Sequence, residues 1–191
     1  MENKEQKYYE MVIAGCTRYL PICPLNESLS IAGFVILGDP ELTGCCAKSL
    51  LKIAPEYDYI ITAESKGIPL AYEMARQHGD KKYFVARKAT KLYMANVFDV
   101  TVRSITTAHV QHLYLDGTDA AAIKGKKILI LDDVISTGES LNALETLVKE
   151  AGGVICGKLA ILAEGEAAKR TDIRFLEPLP LFTPDGTPLP L

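Results

Sequence analysis

At 191 residues with 48% hydrophobic side chains, the chain can bury one substantial core but is short for two full-sized domains. Its 21 basic and 24 acidic residues give a formal net charge of −3, which argues against any global attraction to nucleic acid or an anionic membrane. No apolar run approaches the roughly 20 residues that cross a bilayer. Five scattered cysteines without metal-ligand spacing, and a polar start from Met1 to Tyr9, point to free thiols in a cytoplasmic protein.

Glu2 to Ala14 reads as a helix, followed by an extended piece from Thr17 to Cys23 that ends at Pro24. Asp39-Pro40-Glu41 supplies an N-cap, a proline for the first helical position and a first-turn acid, opening a helix through about Ile53. Tyr57 to Ala63 is a buried strand, and Gly67 to Gly79 a helix with Ile68, Leu70, Ala71, Met74 and Ala75 on its apolar side. A short strand from Lys82 to Ala86 follows. Between Arg87 and Lys124 the pattern changes to alternation, clearest from Val97 to Ile105, and predicts an antiparallel excursion. Lys127 to Leu131 is again a buried strand, Ser140 to Ala151 a helix stopped by Gly152-Gly153, and Val154 to Leu162 a further strand. The tail from Pro178 to Pro190 is too rich in proline for a helix. Strands alternating with helices predict an α/β protein: an open, mostly parallel twisted sheet flanked by helices.

One strand end carries most of the chemistry. Ile128-Leu129-Ile130-Leu131 delivers Asp132 and Asp133 and then runs through Val134-Ile135 into Ser136, Thr137, Gly138, Glu139 and Ser140. Ligands of open parallel sheets bind at such carboxyl ends. Consecutive N–H groups at a helix start, with the helix dipole behind them, attract a phosphate. Gly138 allows close backbone approach, and the three hydroxyls add donors. Two acids beside a phosphate repel it unless hydroxyls or a cation intervene. A ribose diol and Mg²⁺ meet that need.

The stretch ILILDDVISTGES resembles the phosphoribosyl pyrophosphate motif of the type I phosphoribosyltransferases. The resemblance implies that Ser136 to Ser140 hold a 5′-phosphate and that Asp132 and Asp133 hold the ribose hydroxyls. Mg²⁺ is then held mainly by the substrate, with Asp132 or Asp133 as candidate ligand. Glu139 departs from the small residue common there, so its side chain should point to solvent. The turn Glu64-Ser65-Lys66-Gly67, after the strand ending at Ala63, is similar to the family's pyrophosphate loop, which commonly holds a non-proline cis peptide. Arg87 and Lys88 match an Arg-Lys pair of the purine-type members. This implies that Arg87 touches pyrophosphate and that a mobile flap from about Lys88 to Thr107, with Lys91, closes over the site. His78, His109 and His112 lack the companions of a metal site and are read as structural or surface groups.

The resemblance further implies a single domain over residues 1–191, with a hood from about 1–38 and about 173–191, a homodimer, and phosphoribosyl pyrophosphate and a purine base as partners, with no nucleic acid or membrane. Catalysis falls to Asp132, Asp133, Arg87 and Lys66. Adenine leads as the base, ahead of xanthine and hypoxanthine or guanine, although adenine enzymes usually carry a flap glutamate and no Glu lies between Arg87 and Lys124. Two rivals stand beside this reading. One is a sensor that binds the sugar pyrophosphate without turnover, like the effector domain of the bacterial purine repressor, whose DNA-binding module this chain lacks. The other is an orotate-type pyrimidine enzyme.

Overall fold

The computed structural model describes residues 6–103 and 110–191. The chain opens with an antiparallel hairpin, β1 (Tyr8–Ile13) and β2 (Cys16–Pro24), extended by β3 (Ser30–Ala32). The helix expected from Glu2 to Ala14 is therefore a strand over its described core. The reason is local: Tyr8, Tyr9, Val12 and Ile13 favour a pleated surface, Met11 and Ile13 are buried while Tyr8, Glu10 and Val12 are exposed, and Ala14 and Gly15 both turn at positive φ, 50° and 84°. Glu2 to Glu5 of that expectation lie outside the described residues.

Helix α1 (Pro40–Ile53) begins where Asp39 accepts from the Leu42 N–H at 3.0 Å. Next come β4 (Tyr59–Ala63), α2 (Gly67–His78) and β5 (Phe84–Ala86), the expected βαβ unit with slightly shorter strands. The excursion is antiparallel as predicted, β6 (Phe98–Arg103) against β7 (Val110–Leu115), but it also contains a helix, α3 (Gly117–Ile123). Asp116 caps that helix by accepting from Thr118 N–H. Seven residues opening on Gly-Thr carry too little periodicity to read from sequence.

The central strand β8 (Lys127–Ile135) leads through α4 (Glu139–Glu150) to β9 (Val154–Glu164), a 3₁₀ turn (Gly165–Lys169) and β10 (Arg174–Leu179). The five-stranded sheet is parallel throughout, in the order β10-β9-β8-β4-β5. The residues expected to begin the carboxyl-terminal hood are thus an edge strand of the main sheet. Beyond them the tail is extended, as its prolines require, and Phe182 exchanges both backbone hydrogen bonds with Ser30 at 2.7 and 2.9 Å. Tyr9 packs edge-on against Phe182, whereas Tyr8 and Tyr19 are exposed.

Both faces of the sheet are covered. Leu129 and Leu131 of β8 pack into one core with Leu42 and Leu50 of α1 and Leu70 and Met74 of α2. Ile128 and Ile130 enter the opposite core with Leu144 and Leu147 of α4 and Ile123 of α3. These side chains are essentially fully buried, at about 1.5–3 kcal/mol each. Because α2 and α4 leave β4 and β8 on opposite faces, a crevice opens between those two strands at their carboxyl ends.

Asp39 ties the hairpin to this frame. Arg18 Nε and Nη2 donate to its two carboxylate oxygens at 2.6 and 2.9 Å, and the guanidinium, with the Leu42 N–H, holds the carboxyl below its ordinary range. Asp39→Ala should lower unfolding stability by about 1–2 kcal/mol in urea titrations. Because the folded-state pKa is depressed, the contribution is full above 3.8 and fades as pH falls below it. A variant as stable as the parent at neutral pH would show that the cap is dispensable.

Candidate active site

The acids Asp132 and Asp133 lie inside β8 rather than in the turn after it. On one side β8 pairs with β9 as far as Ile135↔Ala163, but on the other its pairing with β4 ends at Thr62↔Leu131. The two carboxylates therefore stand where the strand is held on one edge and open on the other. Asp133 is 3% exposed. Asp133 N–H donates to Asp132 Oδ1 at 2.9 Å, and burial together with the neighbouring Asp133 charge raises Asp132 to about 7, with Lys66 pulling the other way.

Lys66 Nζ is 2.7 Å from Asp133 Oδ2. Yet among the described residues Oδ2 has no aligned hydrogen-bond donor, so the contact is one of charge proximity. Lys66 belongs to the pyrophosphate-loop candidate Glu64-Ser65-Lys66-Gly67, in which the peptide bond Glu64–Ser65 is cis. Gly67 is obligatory there: a Cβ would lie 2.1 Å from the buried Thr62 hydroxyl. Glu64 does not present a free carboxylate. It accepts from Arg87 Nη1 at 2.8 Å and from the Lys88 N–H at 2.9 Å, and Lys91 Nζ is 4.0 Å away. The Lys88 N–H first, then Arg87, hold its carboxyl below the usual range against the opposing effect of burial. Arg87 Nη2 also donates to Tyr93 Oη at 3.1 Å, while the backbones of Arg87 and Tyr114 pair at 2.8 and 2.9 Å. The base of the expected flap is thus pinned to the Glu64 loop. Residues 104–109, including Thr107 and His109, lie outside the described residues.

Helix starts separate into two kinds. Helices α1 and α3, away from the acids, are capped by Asp39 and Asp116. Helices α2 and α4, which begin at the ends of β4 and β8, have Lys66 and Gly138 at their N-caps and no side-chain cap. Their first N–H groups and dipoles flank the crevice from both sides. At the second of these starts, Gly138 has φ 81°, and Ser136, Thr137 and Ser140 are exposed. Glu139 is half-buried and engaged rather than extended into solvent.

The structure brings Lys66 to Asp133 and Arg87 to Glu64; sequence reasoning placed these residues at the site without naming either contact. It missed Glu164, at the end of β9, which burial keeps above its ordinary pKa with Lys66 opposing. It also missed Arg170, which reaches Gly138 from beyond the 3₁₀ turn. The signal for Glu164 was its place at the carboxyl end of the strand next to β8. Of the histidines, His78 pairs with Asp80 at 2.7 Å and His112 bonds Thr101 and stacks on Tyr114, while His109 lies outside the described residues. Among the described residues no cluster of three or more His, Cys, Asp or Glu could hold a metal alone. Two carboxylates as hard oxygen donors suit instead an Mg²⁺ shared with a substrate. No described helix is long and apolar enough to cross a membrane.

A parallel sheet with acids at a strand end between two uncapped helix starts defines a sugar-phosphate-binding α/β enzyme. Comparison with known proteins specifies it: residues 43–177 match the phosphoribosyl transferase domain model, and the chain belongs to that family. The chain is 36% identical over 136 residues, 71% of its length and 69% of the relative's, to a hypoxanthine/guanine phosphoribosyltransferase of Methanococcus maripaludis. It is 34% identical over 150 residues to the protein so named in Methanotorris igneus, covering 78% and 74% of the two chains. Among solved structures it resembles adenine phosphoribosyltransferase of Thermoanaerobacter pseudethanolicus, with TM-score 0.67, 19% identity and coverage of 83% and 95%. It also resembles that of Trypanosoma brucei, solved with AMP, pyrophosphate and ribose-5-phosphate, with TM-score 0.61, 18% identity and coverage of 97% and 81%. At those identities the likeness is one of fold.

The raised pKa of Asp132 has a stability consequence. The folded state binds this proton more tightly than the unfolded chain, so the contribution of Asp132 to stability falls as pH rises from about 4 to about 7 and is level above. Asp132→Asn, which keeps the acceptor for Asp133 N–H, should be more stable than the parent by about 1–3 kcal/mol at pH ~8, with the gain vanishing near pH ~4. Urea titrations at the two pH values check this, and equal stability at pH ~8 would count against a strained acid pair.

Proposed function

We propose that this phosphoribosyltransferase moves ribose 5-phosphate from phosphoribosyl pyrophosphate to a purine, with the 6-oxopurines hypoxanthine and guanine ahead of adenine. The observation that carries the reading is the pair of uncapped helix starts on either side of the Asp132–Asp133 pair, which offers two anion seats around one diol seat. Two observations support ranking the 6-oxopurines above the adenine expected from sequence. The relatives at 34–36% identity carry hypoxanthine/guanine names, and the likeness to adenine enzymes is of fold alone. The region from Arg87 to Lys124 also lacks glutamate.

In this reading the N–H groups from Ser136 to Ser140 seat the 5′-phosphate, and Asp132 and Asp133 accept from the ribose 2′ and 3′ hydroxyls. The N–H groups at the start of α2, with Lys66 and Arg87, receive pyrophosphate. Lys66 is suited to be shared, since it is held to Asp133 by charge without an aligned hydrogen bond. Glu64 sets Arg87 and the Lys88 backbone rather than touching the anion. Mg²⁺, held by substrate oxygens with Asp132 or Asp133, supplies neutralisation of the leaving group when bound. The C1–oxygen bond breaks as the base nitrogen bonds to C1, and the acids offset positive charge on the ribose. Positioning and preorganised charge do the catalytic work, with the flap from about Lys88 to Thr107, carrying Lys91, excluding water. The reading takes residues 1–191 as one domain acting as a homodimer.

Incubation with phosphoribosyl pyrophosphate, Mg²⁺ and each of hypoxanthine, guanine, xanthine, adenine and orotate, with pyrophosphate release followed, should give the fastest turnover with a 6-oxopurine. Release with orotate alone would move the protein to the pyrimidine enzymes, and binding without release from any base would make it a sensor. Asp132→Asn combined with Asp133→Asn should cut turnover by at least roughly 10²–10³-fold while circular dichroism stays that of the parent. Undiminished turnover would mean that the acids do not hold the ribose.

A further inference from the structure

Arg170, just past the 3₁₀ turn that follows β9, is held in one orientation. Its Nε and Nη2 donate to the two oxygens of Asp172 at 2.9 and 2.8 Å, a side-on fork that fixes the plane of the guanidinium. Asp172 also accepts from Lys158 Nζ at 2.5 Å, and Lys158 donates to Glu145 on α4 at 2.9 Å. The arginine is thereby tied to the helix whose first residues form the 5′-phosphate seat. Arg170 first, then Lys158, hold the Asp172 carboxyl far below its ordinary range, so the network stays charged at any working pH.

The fork spends one edge of the guanidinium and leaves the other. Among the described residues Nη1 has no acceptor, and it lies 2.6 Å from where a Cβ on Gly138 would stand. Gly138 thus serves twice: its φ of 81° suits glycine, and its missing side chain makes room for a cation. The surroundings need one. The turn from Ser136 to Ser140 contains no basic residue, and only Val134 and Ile135 separate it from Asp132 and Asp133. Lys66, across the crevice, faces Asp133. A phosphate dianion seated on backbone N–H groups here meets carboxylates on its approach and has Arg170 as its counter-charge.

We propose that Arg170 is a ligand of the 5′-phosphate, donating from Nη1 across Gly138 and held in place by Asp172. The proposal rests on the assignment of the Ser136 to Ser140 turn as the 5′-phosphate seat. It is tested by titration calorimetry with ribose 5-phosphate and, separately, with pyrophosphate. Arg170→Gln should weaken ribose 5-phosphate roughly 10- to 100-fold and leave pyrophosphate within about twofold. Arg170→Lys, which keeps the charge but loses the fork, should fall between the parent and the glutamine variant. Equal loss in the lysine and glutamine variants would assign Arg170 to packing of the loop and overturn the proposal, as would parental affinity for ribose 5-phosphate in Arg170→Gln. If Arg170→Gln does not fold, the lysine variant decides: parental affinity for both ligands overturns the proposal, and a loss confined to ribose 5-phosphate upholds it. Failure of the parent protein itself to bind ribose 5-phosphate while binding pyrophosphate would instead remove the seat, and the role of Arg170 with it.

Discussion

Two adjacent carboxylates at the end of a buried central strand are the constraint around which the rest of this molecule is arranged. Asp132, buried beside a second acid that is nearly sealed from water, cannot ionise freely, and the Lys66 ammonium lies against Asp133 rather than against it. The fold bears that cost because β8 is held by β9 beyond the point where β4 has stopped. Pairing on one edge fixes the acids, and freedom on the other opens the crevice in which a diol can reach them. If β4 ran two residues further, the acids would be enclosed and of no use to a ligand.

The same crevice explains why two helices do without caps. A side-chain cap is worth about 1 kcal/mol, and the chain uses it where nothing else needs the N-terminal donors, at Asp39 and Asp116. At Lys66 and Gly138 it leaves the donors without one. The cations follow a similar division. Lys66 lies loosely against Asp133, whereas Arg87 is locked by Glu64 and Tyr93. One positive group is therefore free to move toward an arriving anion while the other is preset.

Much of this was legible in sequence because parallel strands write themselves as apolar runs and helix starts as caps. The Ile128 to Ser140 stretch carries strand, acids, turn and helix in unbroken order, and the structure keeps that order. The failures share a cause. Glu2 to Ala14 was read by composition, whereas its fate was set by the Ala14-Gly15 turn and by pairing with β2, a partner not visible within that window. The α3 helix is shorter than two turns and its signal is its cap, Asp116, not its periodicity. Glu64 and Arg170 were opaque for a further reason: each acts through a residue more than 20 positions away, Arg87 in one case and Gly138 in the other. Spacing along a chain says nothing of such pairs until a sheet has brought their strands side by side.

Substrate binding and stability are linked through the acids. In the free protein the buried Asp132 carboxyl favours the structure less as it ionises beside the Asp133 charge, and Lys66 relieves only part of the strain. Hydroxyls of a ribose donate to ionised carboxylates and so lower the cost of their charge, while a pyrophosphate drawing Lys66 toward itself would restore part of it. With the seats assigned as proposed, the two halves of a phosphoribosyl pyrophosphate molecule would act on the pair in opposite directions. A ligand carrying only the sugar half should return Asp132 toward an ordinary carboxylate, whereas pyrophosphate alone should drive it further from one.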